Sequence, residues 1–126
     1  MTRTPIPDDV AAWVVSTLRS VVDLEAVLLL RADPGRRWTA ADVSERLYVG
    51  LPEAAEVLDY LTARGLASVD GEARRYDPGV PADGMVGRVA TLYSTHLIAV
   101  TRLIHERPSS RVQQFADAFR LRKESE

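Results

Sequence analysis

Two adjacent arginine pairs, Arg36–Arg37 and Arg74–Arg75, and three carboxylates, Glu53, Glu56 and Asp59, are the residues of this chain best placed to do chemistry. Adjacent guanidiniums can grip phosphates or enter a minor groove when a turn presents them. Their plainer role is a charged edge that keeps a short hairpin from pairing with other chains. The three carboxylates recur every third residue, so on a helix they share one broad side with Tyr60 on its flank. Such a side is usually a solvated acidic face. One of its carboxylates could also accept a hydrogen bond from a cytosine amino group.

Catalytic signatures are missing. The sequence has no nucleophile elbow, phosphate loop, metal-ligand spacing or nucleotide fingerprint. Asp33, Asp42 and Glu45 have no partner that would make a catalytic dyad. His96 and His105 are nine residues apart, on opposite faces of one predicted helix, which does not make a metal pair. His96 falls on the apolar side and reads as a hydrogen-bonded core histidine. There is no cysteine, hence no disulfide and no thiolate metal site. Neither an enzyme nor a cofactor is expected.

With 126 residues, 46% hydrophobic and 27% charged, the chain can bury a core as one domain with a helical extension. The segment "MTRTPIPDDV" lacks the apolar run of a signal peptide, and "AVLLL" at 26–30 is too short to span a membrane. A cytoplasmic protein without a membrane partner is the expectation. The formal net charge of −2 gives no overall attraction to nucleic acid. Its distribution is uneven. From Thr39 to Arg64 acids dominate, whereas from Arg107 to Lys123 five cations face only Asp117.

The elements that would position these residues follow from periodicity and caps. Residues 8–19 read as a helix that Asp8 and Asp9 can cap, with Val10, Trp13, Val14 and Leu18 on one face. "SVVD" at 20–23 has capping-box spacing and opens a strongly apolar helix that stops at "DPG", 33–35. Thr39 and Asp42 form a second capping-box pair ahead of Ala40, Val43 and Leu47. Pro52 then suits the first turn of a helix whose inward stripe is Ala54, Val57, Leu58 and Leu61, with Gly65 as its stop. "LASVDGEARRY" reads as a hairpin turning at Asp70-Gly71. "DPGVPADG", 77–84, reads as a linker. A long helix over about 85–106 and a last helix over about 111–122 complete the chain.

Three pieces, "TAADVSERL", "LPEAAEVLDYLTARGLASV" and the hairpin "DGEARRY", resemble a winged helix-turn-helix over residues 22–77, most nearly the small bacterial MarR, PadR and ArsR regulators. The fold class expected is mainly α with a small β-hairpin wing. An N-terminal helix (1–21), a linker (78–84) and a C-terminal helical extension (85–126) would flank the winged unit. The resemblance implies a recognition helix at 52–64 and a wing that reaches a flanking backbone or minor groove. Arg74, Arg75, Arg36 and Arg37 are then the candidate nucleic-acid contacts, and Glu53, Glu56, Asp59 and Tyr60 line the recognition face. The carboxylates are a departure from the family, because readout and phosphate binding favour cations and amides there.

Helix 85–106 carries two adjacent apolar stripes, Met85, Val89, Leu92, His96, Ala99, Leu103 and Val86, Ala90, Tyr93, Leu97, Val100, Ile104. The second, with the dimers that the resemblance implies, points to a homodimer interface at Tyr93, Leu97, Val100 and Ile104; the alternative is that helices 8–19 and 111–122 cover both stripes within one monomer. In the last helix, Val112, Phe115 and Phe119 form a docking face, and its terminal cations complement the helix dipole. Two functions follow. One is a dimeric bacterial regulator of transcription with duplex DNA as partner. The other is a winged-helix module whose acidic helix meets a protein partner without binding DNA.

Overall fold

The computed structural model describes residues 6–106. The expected last helix, 111–122, lies outside the described residues. The architecture is mainly α with a small antiparallel hairpin, in the order α1 (Asp8–Thr17), α2 (Val21–Ala32), α3 (Ala40–Leu47), α4 (Leu51–Ala63), β1 (Ala67–Asp70), β2 (Ala73–Tyr76), α5 (Val80–Thr95) and α6 (Leu97–Glu106).

Local signals set most of these boundaries. The Ser20 hydroxyl accepts the Asp23 N–H and opens α2. At α3 the capping box is complete: the Thr39 side chain accepts the Asp42 N–H, and the Asp42 carboxylate accepts the Thr39 N–H. Pro52 lies in the first turn of α4, and Gly65 follows that helix at φ +77°, where a side chain would be strained. The hairpin pairs Ala67 with Tyr76 and Asp70 with Ala73, and Gly71 opens its two-residue loop at φ +65°. At α1 the expected capping holds in part: Pro7 is the N-cap without a side-chain hydrogen bond, but the Asp9 carboxylate accepts the Val10 N–H at 2.9 Å while also pairing with Arg88 of α5 at 2.6 Å.

The core is built on α2, whose Leu24, Ala26, Val27 and Leu30 are fully buried. Around them pack Val10, Val14 and Leu18 from the N-terminal end, Val43 of α3, and Ala54, Val57, Leu58 and Leu61 of α4. Trp38, 1% exposed, is a core residue that periodicity did not flag. Its backbone exchanges two hydrogen bonds with Arg74, each 2.8 Å, and so adds a one-residue third strand beside β2. This bridge ties the segment before α3 to the hairpin.

The C-terminal region departs from expectation twice. The linker at 78–84 is mostly helix, because α5 starts at Val80 with Pro81 in its first turn. The single long helix is two, broken at His96 (φ −133°, ψ 52°). The run Tyr93-Ser94-Thr95 explains the break: the Ser94 and Thr95 hydroxyls both donate to the Thr91 carbonyl, competing with the helical ladder. The chain is redirected there. The expected interface stripe is therefore split: Val100 and Ile104 are 2% and 3% exposed within the core, whereas Leu97 and Ile98 face outward. His96 is exposed beside the Thr95 hydroxyl and is not a core histidine. Among the described residues no helix is long and apolar enough to cross a membrane.

Candidate functional site

Hairpin and α4 together place most of the flagged residues, in three separate arrangements. Arg74 and Arg75 are neighbours on β2 and so leave it on opposite faces. The Arg74 side chain, 20% exposed, lies along α4 and pairs with Asp59 at 2.8 Å, while its Nη1 donates to the Ala73 carbonyl. Arg75 goes the other way, towards the hairpin turn, and reaches to 3.9 Å from the Asp70 carboxylate. Arg37 comes to the same carboxylate at 3.2 Å and also donates to the Asp70 carbonyl. Two half-exposed or more exposed guanidiniums thus converge on one aspartate at the tip of the hairpin. Arg36 stands apart. Its guanidinium lies 3.9 Å above the Trp38 ring and 4.0 Å from Asp42.

The α4 carboxylates are exposed, as their spacing predicts, but two of the three are matched. Asp59 meets Arg74, and Glu56 meets Arg19 at 3.2 Å. Glu53 has no ion pair among the described residues. Tyr60 is turned to the flank and holds the corner between α1 and α2. Its hydroxyl donates to the Thr17 carbonyl, and Arg19 lies 3.8 Å above its ring.

Arg19 and Asp23 are the residues that sequence reasoning missed. Asp23 is fully buried, and its carboxylate accepts the Arg19 N–H at 2.8 Å, Nε at 2.9 Å and Nη2 at 3.0 Å. Its charge is thereby matched, as a buried carboxylate requires. The same hydrogen bonds raise the pKa of Arg19. With Nε and Nη2 committed, Nη1 is left to hold Glu56. The capping-box spacing at 20–23 was the available signal. It points to the right carboxylate, which takes the N–H of residue 19 as acceptor.

An open cleft of about 480 Å³ lies between the end of α2, the end of β2 and the start of α5. On one wall the Tyr76 phenol donates to Asp83 at 2.7 Å, and burial with that neighbouring charge raises its pKa well above a free phenol's. Arg31 crosses from α2 to within 3.7 Å of Asp83 and lies over Gly87. The cleft joins the hairpin to the C-terminal helices. Among the described residues no group of three or more histidines or acids could hold a metal ion. Comparison with models of protein families, with curated proteins and with solved structures finds no match.

Proposed function

We propose that the chain is a dimeric, winged-helix regulator of transcription that grips duplex DNA chiefly through its hairpin. The carrying observation is the convergence of Arg37 and Arg75 on Asp70 at the hairpin tip, which sets two solvent-facing guanidiniums close together on an exposed turn that also carries Glu72. The acidity of α4, the main objection to DNA, is reduced because Arg19 and Arg74 match Glu56 and Asp59. The carboxylate partner in each pair is largely exposed and hydrated, so each pair is worth under about 1 kcal/mol. In this reading the wing supplies phosphate contacts, and α4 enters the groove with Glu53 and Glu56 as its polar probes. A second copy would meet the outward side of α6, where Leu97 and Ile98 are 52% and 70% exposed.

One observation favours the alternative, a protein-binding module. Glu53 keeps an unmatched charge, and Leu51, 55% exposed, lies beside it at the start of α4. Gel-shift against random genomic fragments, at low and at moderate salt, separates the two. Binding that weakens steeply with salt supports the DNA reading. An absence of binding at low salt, for the wild type and for Glu53→Gln with Glu56→Gln alike, supports the protein module.

A further inference from the structure

We infer that Tyr48 is a contact residue for the DNA sugar–phosphate backbone, presented by a strained turn between α3 and α4; this rests on the DNA-binding reading above. Tyr48 ends α3 in the left-handed region, at φ 56° and ψ 43°. Among the described residues it is the only non-glycine residue with positive φ. Glycine or asparagine ordinarily takes that position, because a β-carbon is strained there. Burial of the ring could offset such a cost, but Tyr48 is 93% exposed and its phenol has no hydrogen-bond partner among the described residues. The turn is also fixed. Ser44 holds Val49 from both directions, its carbonyl accepting the Val49 N–H at 3.3 Å and its hydroxyl donating to the Val49 carbonyl at 2.6 Å. A rigid turn therefore pays conformational strain to display an aromatic ring that does nothing for the fold. Strain kept without a folding return points to a function.

The neighbours of Tyr48 narrow that function. Leu51 is the other exposed apolar side chain at this turn, and two such groups are far short of the roughly 800 Å² per partner of a specific protein interface. The α4 N-terminus beside them has no side-chain cap at Gly50. Near Tyr48 in sequence, Glu45 and Glu53 repel a phosphate and Arg46 attracts one, and the phenol adds a neutral donor. It can donate to a phosphate or sugar oxygen while its ring and Leu51 lie against the sugar. Because the donor carries no charge, this contact releases no counterion. It strengthens binding without steepening the salt dependence, unlike the arginines of the hairpin.

The test pairs gel-shift titrations, on genomic duplex fragments that the wild type binds, with thermal melts of the free protein. Tyr48→Gly is expected to melt no lower than wild type, since it relieves the turn. It should bind DNA about fivefold more weakly at every salt concentration, the loss of one hydrogen bond with its packing. Tyr48→Phe should lose part of that affinity, and the salt slope should stay unchanged in both. If Tyr48→Gly melts well below the wild type, the ring serves the fold and the inference is wrong. If the variant is stable and binds like the wild type, the contact is refuted while the DNA reading stands. If the wild type binds no DNA at low salt, the DNA reading fails, and this contact fails with it.

Discussion

The Arg74 guanidinium meets the Asp59 carboxylate at 2.8 Å and ties β2 to the outward side of α4. The pair is asymmetric: Arg74 is mostly covered, whereas the Asp59 side chain is 69% exposed and well hydrated. Its coupling free energy in a double-mutant cycle should be below about 1 kcal/mol, measured by urea denaturation of the two single variants and the double. Asp59→Asn should at the same time release Arg74 and tighten DNA binding on all sequences alike. A coupling of several kcal/mol would mean that the pair is part of the core.

The two hairpin arginines should differ in their salt signatures. Arg75→Ala removes a solvent-facing cation and should lower the slope of log K against log salt by about 0.9. Arg74→Ala should lower it less, since its guanidinium already serves Asp59. In the Asp59→Asn background the two effects should become equal. Equal slopes in the wild-type background would show that Arg74 leaves Asp59 when DNA arrives.

Glycine replacements should change stability with opposite signs at different positions. Gly84 lies inside α5, and nothing would contact an added β-carbon there. Gly84→Ala should stabilise the protein by about 0.5–1 kcal/mol, the helix preference for alanine. Gly65 is at φ +77°, so Gly65→Ala should destabilise by about 1 kcal/mol or more. Paired thermal melts check both signs.

Neighbouring positions in α6 should separate folding from assembly. Val100 is 2% exposed, and an aspartate there would be an unpaired buried charge, so Val100→Asp should not fold. Leu97→Asp should leave the fold intact, because that side chain already faces outward. Light scattering then decides the dimer: a wild-type dimer that becomes a folded monomer in Leu97→Asp supports contact through α6. A wild type that is monomeric at micromolar concentration excludes it.

The capping box of α3 gives the expected pH dependence. The Thr39 N–H donates to the Asp42 carboxylate and, with the nearby arginines, lowers its pKa in the folded state. A carboxylate depressed on folding contributes stability above its unfolded pKa of about 3.9 and loses it as pH falls through the folded value. The stability advantage of the wild type over Asp42→Ala should therefore be full at neutral pH and shrink below about pH 4. Urea midpoints across that range measure it. An advantage independent of pH would assign Asp42 a packing role.

How much was legible in advance depended on the distance over which each residue acts. Thr39 with Asp42, Pro52 and Gly65 act within a turn of themselves, and they mark α3 and α4 almost to the residue. The hairpin followed from Asp70-Gly71 for the same reason. Arg19 and Glu56 are 37 residues apart, and no spacing rule brings them together. The bridge of Trp38 to Arg74 is likewise set by tertiary packing. The break at His96 lay between the two. Both apolar stripes run straight through it, and only the hydroxyls of Ser94 and Thr95 hinted that the helix would yield there. Reading those stripes as continuous put Val100 and Ile104 on an interface, although the core had already taken them.

One further consequence concerns the order in which the molecule assembles. The helix nearest the N-terminus, α1, packs against α5 and α6, the last described elements of the chain. The stretch from α2 to β2 can gather through contacts between near neighbours, whereas most of the packing of α1 is with elements made at the far end. Closing that circuit is entropically the slowest step available to such a chain. On a ribosome α1 would emerge before the other described elements and be seated late, a latch that shuts fully only after α5 and α6 have been made.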